Sequence, residues 1–91
     1  MDNTAFAPDV PVAAPALRGR ERLARAGAAL WRVVAPDDRV IGHLRQVDHP
    51  LGVRFRAERL QLPPRPGGAA GRFVEVGEFW GADEAVASLR S

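Results

Sequence analysis

His43 and His49 are the only imidazoles in the chain, and Asp37-Asp38 sets two carboxylates side by side. An imidazole beside a carboxylate supports acid–base work or metal ligation, provided partners converge in a water-excluding site. Here they have little to work with. The chain has no Cys, Lys or Tyr, and its hydroxyls are Thr4, Ser88 and Ser91, so nucleophiles are nearly absent. The spacing of the histidines shows no metal signature, and neither G-x-S-x-G nor G-x-x-x-x-G-K-[ST] is present. Gly67-Gly68-Ala69-Ala70-Gly71 resembles a phosphate loop in composition only. His43 therefore reads as a sheet-surface residue, His49 beside Pro50 as a turn residue, and Asp37-Asp38 as a solvated hairpin turn. The expectation is a chain without catalysis, cofactor or metal.

Arginine is the chemistry that remains. All 13 basic residues are Arg, against 11 acids. With no Lys, Tyr or Cys to titrate below Arg, a net charge of +2 gives a pI near 10.9, so the pI overstates how basic the surface is. The Arg-only, Ala/Gly/Pro-rich usage looks like that of a high-GC genome. The layout says more than the sum. Residues 1–16 carry −2, residues 17–72 carry +7 and residues 73–91 carry −3. A basic middle between acidic ends is either an anion-binding surface or charge neutralised between segments.

Two sets of arginines stand out. Arg32, Arg54 and Arg56 share the outward phase of their strands, and Arg45 joins them in one of its two phases. Guanidinium forks suit phosphates and guanine edges, and a sheet face fits the major groove. The competing reading is a solvated face neutralised across strands by Glu58 and Glu75. Arg18, Arg22 and Arg25, at i, i+4 and i+7, would share one helical face, as a basic arm that orders on nucleic acid or as a solubilising helix. Trp80 is the third candidate. Phe79 and Trp80 cannot both face one core from a strand, so Trp80 either staples the helix entry or stands exposed as an interface anchor.

The elements that position these residues are legible in outline. Residues 1–16 hold three Pro and no aliphatic periodicity and read as a disordered tail. Residues 17–29 are Ala/Arg-rich and read as a short basic helix weakened by Gly19 and Gly27. Leu30–Val34, Val40–Val47 and Val53–Leu60 read as strands, separated by turns at Ala35–Arg39 and Asp48–Gly52. The cleanest alternation sets Val53, Phe55 and Ala57 against Arg54, Arg56 and Glu58. Gly42 marks a bulge or a close backbone approach, and the phase of its strand stays open, with Ile41 or Leu44 inward. Gln61–Arg72 is a Pro/Gly loop, and Phe73–Phe79 is a fourth, short strand. Gly81 as N-cap, then Asp83 and Glu84 in the first turn and an Ala82/Val86/Leu89 stripe, specify a C-terminal helix.

The reading is an α+β domain over residues 30–91. It is a three- to four-stranded antiparallel β-meander with the helix packed on one face, over Trp31, Val33, Phe55, Ala57, Val86 and Leu89. About 60 residues carry the core, which makes the domain marginal alone and leaves oligomerisation open. No signal segment is visible, and no apolar run approaches a membrane span, so cytoplasm is the expected location.

Trp31-Arg32-Val33, Gly42, Arg54-Phe55-Arg56-Ala57, Gly77-Glu78-Phe79-Trp80 and Asp83-Glu84-Ala85-Val86 together resemble short actinobacterial proteins of uncharacterised function, over about residues 30–90. That resemblance implies no activity. The order of three strands and then a helix opening on A-D-E-A-V also resembles, in architecture, the arm-type DNA-binding domains of tyrosine recombinases. That likeness implies a DNA-reading sheet face occupied by Arg32, Arg54 and Arg56. The expected function is a nucleic-acid-binding module using the Arg face. The alternative is a protein-interaction or assembly component using an open sheet edge or Trp80, with a protein partner or a second copy of the chain. No membrane partner is expected.

Overall fold

The computed structural model describes residues 10–61 and 71–90. The protein is α+β. One antiparallel sheet holds β1 (Arg22–Gly27), β2 (Leu30–Val34), β3 (Val40–His49), β4 (Gly52–Gln61) and β5 (Arg72–Phe79) in sequence order, followed by helix α1 (Ala82–Ser88). The sheet is a meander, as the alternation and turn signals indicated, but it has five strands rather than three or four.

The extra strand is β1, and it replaces the basic helix expected over residues 17–29. Ala, Arg and Leu favour helix locally, but tertiary pairing overrides so weak a preference. Leu23 and Arg25 point to the core side, where Leu23 packs on the core and the Arg25 guanidinium lies 5.4 Å from the Trp31 ring centroid. Arg22 and Ala24 alternate with them, and the strand pairs with β2 from Arg22↔Val34 to Gly27↔Leu30. Two positions bearing only the small side chain of Ala, at 24 and 26, hide this period of two from a hydrophobic pattern.

The other turns follow their residues. Pro36 and Asp37 sit at the centre of a turn closed by Asp38 N–H to Ala35 O, and Asp38 adopts φ +71° to return the chain. Between β3 and β4 the turn narrows to Pro50-Leu51, and Gly52 takes φ +137°, which a side chain rarely adopts. The Gln61–Arg72 loop expectation falls largely on residues 62–70, outside the described residues. So does the tail expectation for residues 1–9. Residues 10–16 carry no helix or strand, and Val12 N–H donates to Ala28 O.

The core lies between one face of the sheet and α1. Trp31, Val33, Leu44 and Ala57 from the sheet meet Ala82, Ala85, Val86 and Leu89 from the helix, with Phe55 and Phe79 packed at the margin. The helix positions follow an i, i+3, i+4, i+7 stripe. Leu44 is inward, which fixes the phase left open for β3. Gly42 shares that phase, and the reason is close approach. A Cβ there would collide with the Glu58 carbonyl of β4 and stand 3.0–3.1 Å from both Leu89 methyls. Gly81 caps α1 with extended backbone, and Asp83 and Glu84 occupy its first turn.

The chain preceding β1 completes this cover. Leu17 packs on the core, Arg18 N–H donates to Asp83 at 2.8 Å, and Glu21 takes a two-pronged hydrogen bond from Arg90 at 2.8 and 2.9 Å. Arg59 donates to the Ser88 carbonyl at 2.8 Å, where the last carbonyls of a helix lack intrahelical donors.

The close approach at Gly42 yields a stability prediction. Gly42→Ala should destabilise the domain by about 2 kcal/mol, because the obstructing atom on one side is backbone and cannot rotate away. Chemical denaturation followed by far-UV circular dichroism measures this, and an unchanged midpoint would contradict the packing described.

Candidate functional site

Because residues directly opposite on neighbouring strands share a face, register sorts every side chain of the sheet. The face away from α1 holds the row Arg32–His43–Glu58–Glu75, the row Arg45–Arg56–Glu78, and the pair Val47–Arg54. Arg32, Arg45, Arg54 and Arg56 therefore lie together on the face that the helix leaves open. For Arg45 this follows from Leu44 being inward.

Three glutamates are woven among them. Arg56 donates to Glu78 at 2.8 and 3.2 Å and lies 3.6 Å from Glu75. Arg45 is 3.5 Å from Glu58, and Arg54 reaches the Glu78 backbone carbonyl at 2.8 Å. The Arg56 hydrogen bond lowers the Glu78 carboxyl below its ordinary value and raises Arg56 in turn. Arg32 is exposed and makes no ion pair among the described residues. Four arginines against three glutamates leave the face mildly positive.

Aromatic rings stand near both ends of this lattice. His43 stacks on Phe73 across β4, with ring centroids 3.6 Å apart and planes 8° from parallel. At the other end, one residue past the Phe55↔Phe79 pair, Trp80 lies beside Arg54, whose guanidinium carbon is 4.6 Å from the ring centroid. His49 meets the same indole edge-on at 5.3 Å. Trp80 is 50% exposed, so it does not serve as a buried staple, while Phe79 packs on the core. Leu51 and Val53, on either side of Gly52, are also exposed.

The arginines of the N-terminal segment are dispersed. Arg18 reaches Asp83, Arg22 pairs with Asp38 at 2.7 Å, and Arg25 covers Trp31 while donating to the carbonyls of Gly27 and Ala28. They do not form one stripe and do not join the outer face as a group. Glu78, Phe73 and His49 are not among the site residues the sequence indicates, and neither is the contact of Arg54 with Trp80. Their signal lies in the β4–β5 register, which sequence across a long loop does not supply.

A groove of about 650 Å³ is lined by Ile41, Leu60 and Leu89, with Arg39, Arg59 and Arg90 among its walls. Its charged groups are spoken for: Arg39 by Asp37, Arg59 by the Ser88 carbonyl, Arg90 by Glu21. Among the described residues no cluster of His, Asp and Glu is placed to hold a metal ion, and no helix is long and apolar enough to cross a membrane. No family model, curated protein or solved structure matches this chain.

His43 carries a pH signature. Burial lowers its pKa from 6.5, outweighing the pull of Glu58 at 3.6 Å. Below 6.5 the unfolded chain binds a proton that the folded chain resists, so stability rises with pH up to about 6.5 and levels off above it. Acidification from about pH 7 to about pH 5.5, still above the carboxylate range, should lower the unfolding midpoint. His43→Gln should flatten that limb. A wild-type midpoint independent of pH in this window would contradict the assignment.

Proposed function

We propose that this protein is a non-enzymatic binding module whose outer sheet face engages nucleic acid. The observation that carries the reading is the gathering of Arg32, Arg45, Arg54 and Arg56 on the one sheet face no helix covers. Planar guanidinium forks bind phosphate oxygens and base edges, and a sheet presents them at regular spacing. The glutamates moderate the field, so phosphate attraction alone gives modest affinity. Arg32, without an acidic partner among the described residues, is the arginine with most to gain from a phosphate.

A second reading rests on a different observation. Leu51, Val53 and Trp80 expose apolar surface around the β3–β4 turn, which suits a protein partner. The two readings separate by salt and by concentration. Nucleic-acid binding weakens as salt rises, while a self-associating surface gives a mass that grows with protein concentration.

Binding of the full chain to labelled DNA and RNA at about 50 mM salt tests the first reading. Arg32→Ala with Arg45→Ala should weaken binding and reduce the slope of log affinity against log salt, by roughly one for each phosphate no longer neutralised. Unchanged circular dichroism of the variant separates this from unfolding. Absence of binding to any nucleic acid at that salt overturns the reading, and a concentration-dependent oligomer would then favour the second.

A further inference from the structure

We infer that the ligand of the outer face is single-stranded rather than duplex nucleic acid, with an unpaired base stacked on Trp80; this rests on the nucleic-acid reading above. Trp80 is half exposed, yet it is held in place. Arg54 backs the ring at 4.6 Å and is itself anchored to the Glu78 carbonyl at 2.8 Å, while His49 braces the ring edge-on at 5.3 Å and 82°. Gly52 is part of the bracket. Its φ of +137° turns the chain beneath the indole, and a Cβ there would touch the ring at 3.9 Å. The ring has already given up much of its rotamer freedom, so a stacking partner meets a preorganised surface. A guanidinium lying on an indole makes a composite planar platform whose charge also sits within reach of a phosphate.

Two features favour a single strand over a duplex. Stacking needs an open base face, which a duplex hides within its own stack and a single strand offers. The charge balance points the same way. Glu58, Glu75 and Glu78 lie between Phe73 and Trp80 on the β4–β5 side of the face, and a duplex presents a phosphate charge about every 1.7 Å along its axis. A mildly positive face gains little from that density and repels part of it. A single strand can bend around the acids and place bases on the aromatic groups near the ends. Phe73, already stacked on His43 and 37% exposed, lies seven residues before Trp80 on β5, roughly 20 Å away along an extended chain. The path of the bound strand therefore runs from Phe73 to Trp80 over Arg56 and Arg54 of β4, alongside Glu75 and Glu78 of β5.

The chain contains two tryptophans, and this makes the test direct. Trp31 is 1% exposed beneath the helix and gives a constant background, so a change in emission on titration reports Trp80. Oligo-deoxythymidine of about 12 nucleotides should quench that emission, and a duplex of equal length should bind more weakly. Trp80→Ala should weaken oligo-deoxythymidine binding by about 5- to 150-fold, the measured range for one stacked base, and Trp80→Phe should restore most of it. Trp80 is outside the core, so circular dichroism should show all variants folded. If the duplex binds as tightly as the single strand, or if Trp80→Ala binds like wild type while Arg32→Ala with Arg45→Ala does not, the stacking inference falls and the nucleic-acid reading stands. If neither polymer binds, both fall.

Discussion

The packing of Leu89 on the bare backbone of Gly42 sets the geometry on which the rest depends. A helix of seven residues has little apolar surface to offer, and its three buried positions are Ala82, Ala85 and Val86. Such a helix must approach the sheet closely to gain anything from burial, because dispersion attraction falls away steeply with a gap of even half an ångström. The glycine in β3 removes the side chain that would hold it off. Trp31 and Leu44 then fill the space beside it, and the core is complete with few large residues. The cover is finished by the segment before β1, tied to α1 through Arg18–Asp83 and Glu21–Arg90. Arg18–Asp83 sets a base of the basic middle against an acid of the C-terminal block, and Glu21–Arg90 pairs the same two segments in the opposite sense.

A single helix and a short segment cover one face only, so the other face must be satisfied by its own side chains and by solvent. Polar groups there need partners, and the sheet supplies them across strands. Arg56 sits between Glu75 and Glu78, and Glu58 between His43 and Arg45. Part-exposed pairs of this kind contribute little stability each. Their effect is on arrangement. Long side chains are held flat over the strands, and the aromatic rings near each end are braced by their neighbours. The same pairing that neutralises charge leaves Arg32 unpaired among the described residues and Trp80 fixed but uncovered.

How much of this was legible in the sequence depended on whether the signal was local. The outward phase of Arg54 and Arg56 is plain in the alternation of Val53 to Glu58, and the helix start is plain in Gly81, Asp83 and Glu84. The adjacency of Phe79 and Trp80 left Trp80 either a staple at the helix entry or an exposed anchor, and only the structure, with Trp80 50% exposed, decides between them. By contrast, the strand at Arg22–Gly27 was masked by residues that favour helix in isolation, since only its pairing with β2 reveals the period of two. The partners of Arg56 were hidden for a different reason. Glu75 and Glu78 differ by three, an odd interval that places them on opposite faces of a regular strand. A bulge at Val76 brings both to the same face, and no local pattern announces it.

That bulge bears on how the sheet ends. β5 is an edge strand with Val74 and Val76 exposed, which by itself invites pairing with a second copy. A symmetric antiparallel partner would set Val74 against Val76 and Arg72 against Glu78, a complementary match for a regular strand. The bulge puts Arg72 and Glu78 on opposite faces, so the charges do not meet and the match fails. Irregular edges are one way sheets avoid joining edge to edge. The device that blunts the edge is therefore the one that assembles the outer face. By shifting Glu78 into line with Arg56, it also delivers the chain to Trp80 on the side where Arg54 waits, so a break in one strand's regularity shapes both the edge of the sheet and the surroundings of Trp80.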